Sequence, residues 1–304
     1  MEAVITIVGF LGAGKTTLLK RLIEDYLAAS WQPFVVLNDY ENANFDALQL
    51  IDTLGARWIK GLAGSCICCS GINELRATVN RIPKREKGVT LIEANGTTDA
   101  CALMEFLGVG LHDRFLPPIQ ISVVNVNNWQ NRAEHNELEA NQIQVSSLLV
   151  LTHLEKTNKE RQAVVVKALK KYNPFAKIVR LKDLNLETLS TLLPLQQKAQ
   201  AFNHEKAHWA SCSCDLPNLP DEKSIYDICS KLPSDLLRVK GCVQIINNKG
   251  FTYFERNPDG EVFIRPFNGV PTTGCKLLTI GPNSSINTLK TAIAYSLNKA
   301  SSRL

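Results

Sequence analysis

The sequence predicts an α/β fold: a first domain with a mainly parallel sheet covered by helices, followed by a smaller α+β domain. Up to about residue 200, short apolar runs alternate with stretches that have the period of a helix, which is the pattern of repeated β-α-β units. The apolar runs are continuous and do not alternate with polar residues. Continuous apolar strands are typical of a parallel sheet that is buried on both faces.

The predicted strands of the first domain are residues 4–8, 34–37, 89–92, 121–126, 148–151 and 178–181. Helical patterns separate them, for example over residues 17–29 and 160–171. After Gln196 the alternation stops, and residues 201–222 combine polar residues with His, Cys and Pro without a sustained apolar period. We therefore predict a first domain over residues 1–200 and a linker over residues 201–222.

Beyond the linker the pattern changes, which predicts the second domain over residues 223–304. A helix is followed by strands that are joined by turns rich in Asn and Gly, and then by one more strand and a closing helix. In chain order these elements are residues 225–232, 242–246, 251–255, 262–266, 277–280 and 284–297.

Composition and charge exclude several classes of protein. The chain has 304 residues, of which 45% are hydrophobic and 21% charged, so it is neither disordered nor fibrous. The formal net charge of +5 is too small and too dispersed for a nucleic-acid-binding surface. No apolar run approaches the ~18 residues of a membrane span, and the apolar start has no basic region before it. We expect a cytoplasmic protein with no nucleic-acid or membrane partner.

The strongest motif is GFLGAGKT at residues 9–16, a complete G-x-x-x-x-G-K-[ST] between a predicted strand and a predicted helix. In such a P-loop the backbone N–H groups and the helix N-terminus surround phosphate oxygens. Lys15 would reach the outer phosphates, and the Thr16 hydroxyl would bind Mg²⁺. We predict a P-loop NTPase domain with nucleotide contacts at Gly12, Ala13, Gly14, Lys15, Thr16 and Thr17.

A P-loop enzyme also needs an acidic residue at the end of a neighbouring strand to organise Mg²⁺ and water. Glu93 fits this place, because it ends the apolar run 89–92 and precedes a turn that contains Gly96. We therefore predict Lys15, Thr16 and Glu93 as the catalytic residues.

Nine cysteines without a secretion signal do not indicate a disulfide framework. We expect the isolated ones to be buried fillers: Cys101, Cys229, Cys242 and Cys275. In contrast, Cys66, Cys68 and Cys69 fall within four residues, after a Gly-rich loop. Three thiolates suit Zn²⁺ or Cu⁺ and leave a fourth position open, as a site that gives its metal away requires. An inert buried cluster and a redox site are the alternatives.

The predicted linker holds a second candidate metal site, with weaker support. His204, His208, Cys212 and Cys214 are spaced H-x3-H-x3-C-x-C, so the first three would share one face of a helix. An ordinary exposed linker is equally compatible with these residues. We interpret His112 and His135 as structural, because neither has a partner at ligand spacing.

Together these residues resemble the CobW-like P-loop GTPases, a family of metallochaperones. The resemblance rests on the P-loop, the Cys-x-Cys-Cys about fifty residues later and the Glu-x-x-Gly at residues 93–96. Residues 38–40 and Asp46 look like the family's switch region. Further matches are Gln142, residues 173–176 and the Arg-x-Lys-Gly at 238–241, which resembles the start of the family's C-terminal domain.

The chain departs from the family pattern where guanine is recognised. Thr152, His153 and Glu155 stand in a Thr-His-Leu-Glu segment where the family has Asn-Lys-x-Asp. A Glu155 carboxylate can still accept hydrogen bonds from guanine, so we expect GTP to be preferred over ATP by a reduced margin. Other departures are Glu41, Ser65 and Asn125.

The resemblance implies a Mg²⁺-dependent GTPase that delivers a transition metal, zinc or cobalt, to a client metalloprotein. GTP, or ATP in its place, Mg²⁺ and Zn²⁺ or Co²⁺ are the implied ligands. We expect a monomer or a weak homo-oligomer. The alternative is a metal-binding sensor or storage adaptor that uses nucleotide only as a conformational ligand. A small-molecule kinase would need an acceptor pocket with a base, and no sequence feature supplies one.

Overall fold

A computed structural model describes most of the chain, in two compact units, Met1–Ala207 and His208–Leu304. The described residues are 1–38, 50, 52–62, 72–107, 110–194, 211–236, 238–246, 248–256, 260–267, 271, 274–280 and 283–302.

The first unit is built on one parallel sheet of seven strands in the order β3-β2-β4-β1-β5-β6-β7. The strands are β1 (Ala3–Val8), β2 (Gln32–Asn38), β3 (Ile59–Leu62), β4 (Gly88–Glu93), β5 (Ile119–Asn125), β6 (Leu148–Thr152) and β7 (Lys177–Arg180). The described helices are α1 (Lys15–Ala28), α2 (Ile72–Arg81), α3 (Ala100–Leu107), α4 (Asn136–Gln144), α5 (Lys159–Tyr172) and α6 (Leu186–Ser190). The predicted fold class is confirmed, and β3 is a strand that the sequence analysis did not predict.

Helices cover both faces of this sheet, as the continuous apolar strands predict. On β1, Ile5 and Ile7 pack in a cluster with Leu18 and Leu22 of α1. The alternate residues Val4 and Val8 face the other way, in a cluster with residues of α2 and α3. A strand with both faces buried reads as an uninterrupted apolar run, because successive side chains point to opposite faces.

The second unit contains an antiparallel sheet of five strands in the order β11-β10-β9-β12-β8. The strands are β8 (Ser211–Asp215), β9 (Arg238–Val243), β10 (Phe251–Arg256), β11 (Val262–Phe267) and β12 (Lys276–Ile280). Helices α7 (Lys223–Lys231) and α8 (Ile286–Ser301) contribute to one hydrophobic core with this sheet. The predicted smaller α+β unit is thus confirmed, whereas the boundaries at residues 200 and 222 stay a prediction.

The prediction that residues 211–215 belong to a linker is wrong. Residues 211–215 form β8, which pairs with β12 so that Cys212 lies opposite Thr279 and Cys214 opposite Leu277. The sequence Ser-Cys-Ser-Cys alternates polar hydroxyls with thiols, and Cys packs as a small apolar residue. The two thiols therefore give this segment a period of two, which is too short to appear as a sustained apolar pattern in the predicted linker.

In the described parts of both units, no helix is both long enough and apolar enough to cross a membrane.

Candidate functional site

The carboxyl end of β1 leads into a phosphate-binding loop and then into α1. Gly14, the residue before α1, has a φ of +96°, and Gly9 at the start of the loop has a φ of +144°. A Cβ on Gly9 would lie 2.5 Å from the carbonyl oxygen of Val123 on β5. The two glycines therefore permit a backbone that other residues would strain. The first N–H groups of α1 lie at the end of this loop, which is the arrangement that binds anions.

Lys15 is held back against this loop. Its side chain is buried, and Nζ donates a hydrogen bond of 2.9 Å to the carbonyl oxygen of Gly9. Nζ also lies 3.4 Å from the carbonyl oxygen of Phe10. A phosphate oxygen would be a stronger acceptor for this ammonium than either neutral carbonyl.

Thr16 and Glu93 meet beside the loop, as the sequence predicts for a magnesium site. The Thr16 hydroxyl donates a hydrogen bond of 2.8 Å to Oε1 of Glu93. Glu93 ends β4, which lies next to β1 in the sheet, and its side chain is buried. Both groups present hard oxygen atoms, which are the donors that Mg²⁺ prefers, so the residues fit this ion.

A cavity of about 720 Å³ opens beside the loop, away from Glu93. The residues that line it come from the end of the phosphate loop and α1, from the end of β6 and the segment after it, from α5, and from the end of β7 and the turn after it: Gly14, Thr17, Arg21, Leu151, Thr152, His153, Leu154, Glu155, Gln162, Arg180, Leu181 and Lys182. The cavity thus contains the positions at which the sequence predicts base recognition. It lies at the carboxyl end of the parallel strands, where α/β proteins bind ligands.

Thr152 joins the base side of this cavity to the phosphate loop. Its hydroxyl lies 2.8 Å from the carbonyl oxygen of Ala13 and 3.1 Å from that of Val124. His153 makes a second connection, because its Nε2 lies 3.2 Å from the carbonyl oxygen of Gly12. Thr152 and His153, which both depart from the family pattern, therefore contact the phosphate loop directly.

Glu155 lies at the open rim of the cavity. Its carboxylate lies 3.8 Å from Nδ1 of His153, and its side chain is 71% exposed. His153 itself has a φ of 54°, in the left-handed region that few residues other than glycine adopt. This backbone turn places His153 against the loop and Glu155 at the rim.

Sequence analysis missed the residues that close the far side of the cavity. Arg21 of α1 donates a hydrogen bond of 2.6 Å to the carbonyl oxygen of Leu184 and another to that of Leu181. It thereby holds the turn that carries Arg180 and Lys182 next to the cavity. The sequence does contain one signal for these residues, since they lie at the end of the predicted strand 178–181. The carboxyl ends of parallel strands meet at one edge of the sheet, which is where ligands bind.

The predicted metal ligands are not all in the described part of the chain. Cys66, Cys68 and Cys69, His204 and His208, and the switch-like residues from Asp39 to Asp46 lie outside it. Among the residues that are described, no group of three or more His, Cys, Asp or Glu could hold a metal ion.

Cys212 and Cys214 lie in strand β8. The prediction that Cys212 shares one face of a helix with His204 and His208 is therefore wrong for Cys212. Cys214 is buried in the core of the second unit. The pKa of the Cys214 thiol is raised to about 11, mainly by burial and in smaller part by nearby Cys212 and Asp215. At neutral pH this sulfur is a neutral thiol, which is a poor metal ligand.

Three of the four isolated cysteines are buried as predicted, whereas His112, interpreted as structural, is exposed. Cys101, Cys229 and Cys242 are buried, and Cys275 is partly buried. Burial raises the pKa of Cys229 to about 12 and that of Cys242 to about 12. His135 is buried and stacks on Phe10 of the phosphate loop.

Comparison with known proteins identifies similar sequences. A family model described as CobW/HypB/UreG, nucleotide-binding domain, matches residues 3–180. The chain is 28% identical over 158 residues to the zinc chaperone YjiA of Escherichia coli strain K12, which covers 49% of this chain and 48% of that protein. It is 20% identical over 239 residues to zinc-regulated GTPase metalloprotein activator 1 of Dictyostelium discoideum, with 66% of this chain and 48% of that one covered. The matches thus span about half the length of each relative.

Among solved structures, zinc-bound YjiA GTPase from E. coli aligns at a TM-score of 0.41 with 16% identity, covering 96% of this chain and 98% of that one. The hydrogenase maturation factor HypB from Archaeoglobus fulgidus aligns at a TM-score of 0.38 with 20% identity, covering 62% of this chain and 83% of that one.

Proposed function

This chain belongs to the CobW/HypB/UreG nucleotide-binding family, and we propose that it is a Mg²⁺-dependent GTPase that delivers a transition metal to a client metalloprotein. The observation that carries the proposal is the preformed contact of 2.8 Å between the Thr16 hydroxyl and Glu93, beside a phosphate loop that already holds Lys15. This arrangement is the one that phosphoryl transfer requires.

The phosphates of the substrate would lie against the backbone N–H groups at the start of α1. Lys15 would then exchange the Gly9 carbonyl for phosphate oxygens and neutralise the charge that develops on them. In hydrolysis, water adds to the γ-phosphorus while the bond to the bridging oxygen breaks, which gives phosphate and a nucleoside diphosphate. The loop thus contributes by positioning and by electrostatic stabilisation.

Mg²⁺ would be held by the Thr16 hydroxyl and the Glu93 carboxylate together with phosphate oxygens. When bound, this ion supplies Lewis-acid neutralisation of the phosphate oxygens. Glu93 is buried at the end of a central strand, so its carboxylate is fixed relative to the loop. A fixed carboxylate can also orient the attacking water.

We propose GTP as the substrate, with ATP as the alternative. A carboxylate at Glu155 can accept hydrogen bonds from the N1–H and N2–H groups of guanine, whereas adenine offers a different pattern. Thr152 and His153 hold this segment against the loop. The exposure of Glu155 supports a preference for GTP that is smaller than a buried carboxylate would give.

The cargo in this proposal is Zn²⁺, with Co²⁺ as the alternative, bound by Cys66, Cys68 and Cys69. Support comes from the cysteine-rich sequence and from the two relatives, which are named a zinc chaperone and a zinc-regulated GTPase metalloprotein activator. The partner would be a cytoplasmic client protein, and the chain would act as a monomer or a weak homo-oligomer.

A second candidate is a metal sensor or storage adaptor that binds nucleotide without appreciable turnover. The altered segment from Thr152 to Glu155 favours it, because the base contact there is open to solvent. Such a protein would bind GTP and Zn²⁺ and would release little phosphate.

Steady-state phosphate release from GTP, measured with and without Zn²⁺, distinguishes these candidates. The proposal expects catalytic turnover that depends on Mg²⁺, responds to Zn²⁺ and is abolished in Lys15→Ala. Nucleotide binding without turnover under both conditions would favour the adaptor. Failure to bind any nucleoside triphosphate would contradict both.

A further inference from the structure

Gln142 of α4 holds the backbone that follows Glu93. The side chain is 1% exposed, and Nε2 donates hydrogen bonds of 2.9 Å to the carbonyl oxygen of Gly96 and 3.2 Å to that of Thr98. One buried amide group therefore fixes two carbonyls of a single turn. These two acceptors are 46 and 44 residues away from Gln142 in the sequence.

The turn held by Gln142 packs against the phosphate loop. A Cβ on Gly96 would lie 2.5 Å from Cδ2 of Leu11 and 2.9 Å from the Leu11 backbone nitrogen. Leu11 is part of the loop at residues 9–16, so Gly96 packs directly against the side chain and the backbone of a loop residue. A shift of the Gly96 backbone must therefore displace either the loop or the Leu11 side chain.

The next residues of the same segment are anchored independently of Gln142. Oδ1 of Asn141 accepts a hydrogen bond of 3.1 Å from the backbone N–H of Ala100. Oδ1 of Asp99 accepts one of 3.0 Å from the N–H of Ala102, at the start of α3. Gln142 thus binds two carbonyls of a turn that Asn95 also holds, because Oδ1 of Asn95 accepts a hydrogen bond of 3.2 Å from the backbone N–H of Thr97. The start of α3 is held by other side chains.

Some buried polar atoms at the contact between α4 and this turn make no hydrogen bond to the described residues. In the part of the chain that the structure describes, neither Oε1 of Gln142 nor the fully buried Thr98 hydroxyl has a hydrogen-bond partner. Buried polar groups without partners are unfavourable, and native structures contain few of them. Such a contact is a place where the hydrogen bonding can change when the neighbouring site fills.

We propose that Gln142 is a positioning residue for the terminal phosphate: through Gly96 it sets how the phosphate loop distinguishes a nucleoside triphosphate from a diphosphate. This role rests on the proposed nucleotide site. Gln142 acts through the Gly96 backbone and does not itself bind the nucleotide. Loss of its amide group should weaken the triphosphate complex and leave the diphosphate complex nearly unchanged.

Gln120 of β5 provides a matched control. It is also a buried glutamine, and its Nε2 also makes two hydrogen bonds, of 3.0 Å to the carbonyl oxygen of Gln142 and 2.8 Å to the Ser146 hydroxyl. Its Oε1, like that of Gln142, has no partner among the described residues. The two glutamines differ in what they hold: Gln120 binds the end of α4, and Gln142 binds the turn beside the loop.

The test compares Gln142→Met with Gln120→Met, because methionine keeps the length of glutamine and removes its amide. Affinities for a non-hydrolysable GTP analogue and for GDP, both with Mg²⁺, are measured by calorimetry together with the midpoint of thermal unfolding. In Gln142→Met we expect the ratio of triphosphate to diphosphate affinity to fall about tenfold, as the loss of one hydrogen bond permits. In Gln120→Met we expect a similar loss of thermal stability and an unchanged ratio. If Gln142→Met does not fold, Gln142→Leu replaces it, with the same expected fall in the ratio.

An unchanged ratio in the Gln142 variant would overturn the proposal, and so would an equal fall in both variants, which would indicate general loosening of α4. Wild-type protein that binds neither nucleotide would instead contradict the proposed function itself.

Discussion

The proposed nucleotide site has a phosphate end, at the loop of residues 9–16, and a base end, at residues 152–155, and the two ends differ in how firmly they are built. At the phosphate end, Lys15 and Glu93 are both less than a tenth exposed, and each makes a direct hydrogen bond within the site. At the base end, the side chain of Glu155 is 71% exposed. Water competes for the hydrogen bonds of an exposed group. Burial strengthens a hydrogen bond, because the effective dielectric constant is lower inside the protein. We infer that the phosphate end supplies most of the affinity and the base end a modest selectivity.

The largest expected effect is at the phosphate end. Lys15→Ala should lower the affinity for Mg²⁺-GTP by about 1000-fold, since two charge-assisted hydrogen bonds contribute roughly 1.5 to 3 kcal/mol each. Lys182→Ala, which removes an exposed lysine at the base end, should change the affinity by less than about threefold. Calorimetry on both variants measures the contrast, with circular dichroism to check the fold. Equal losses in the two variants would contradict the division between the ends.

A buried carboxyl near the phosphate end should make stability depend on pH. Glu139 of α4 is buried, which raises its pKa to about 7, although the Gln130 N–H, Arg132 and Arg161 act in the opposite direction. Arg132 in turn lies over the ring of Phe10 in the phosphate loop. The native state therefore binds a proton that the unfolded state has already lost between pH 4.5 and about 7.

Within that range the free energy of unfolding should fall as the pH rises, by up to about 3 kcal/mol in total. Glu139→Gln cannot titrate and should lack this component, while its oxygen can still accept the Gln130 hydrogen bond. Urea unfolding of both proteins at several pH values between 4.5 and 8 measures the difference. If the free energy of unfolding changes with pH in the same way in the wild type and in Glu139→Gln, the pKa of Glu139 is not raised.

At the base end, the expected effect concerns selectivity. Glu155→Gln replaces one carboxylate oxygen with an amide that cannot accept hydrogen bonds from guanine, so the preference for GTP over ATP should fall about tenfold, within the roughly 1 to 3 kcal/mol of a bidentate base contact. The affinity for ATP should stay the same. Competition titrations with GTP and ATP measure both values, and a preference that survives the substitution would remove Glu155 from the base contact.

The smallest effect should come from the connection between the two ends. Thr152→Val keeps the side-chain shape but loses the hydroxyl that contacts the Ala13 and Val124 carbonyls. We expect a fall of about fivefold in affinity for GTP and ATP alike, as the net loss of about 1 kcal/mol predicts. Binding titrations with both nucleotides check it. A change confined to one nucleotide would place Thr152 in base recognition instead.

Local sequence patterns predicted which residues come together beside the phosphate loop, and their role in nucleotide binding stays a prediction. The glycines, Lys15 and Thr16 lie within eight consecutive residues, and Glu93 directly follows an apolar run. Contacts between distant parts of the chain could not be predicted in this way. Arg21 holds a turn 160 residues away, and Gln142 holds one 46 residues away. Periodicity describes which face of an element is buried, but it does not say which distant carbonyl a polar side chain meets.

The second unit illustrates a different limit. Cys212 and Cys214 have spacing that suits a metal ligand, yet they form part of an antiparallel sheet. The same residue type serves as a buried apolar side chain and as a metal ligand, and only the tertiary environment decides between them. The prediction for Cys66, Cys68 and Cys69 stays a prediction, since it rests on sequence alone.

Metal delivery driven by GTP, as proposed, requires that nucleotide binding and metal binding are coupled. This coupling is tested by competition titrations with a zinc indicator, performed with the protein saturated by a non-hydrolysable GTP analogue and again by GDP. We predict zinc affinities that differ by about 5- to 150-fold between the two states, the usual range for coupled sites, and a loss of this zinc binding in the Cys66, Cys68 and Cys69 triple serine variant. Zinc affinities that are identical within error in the two nucleotide states would contradict metal delivery driven by GTP.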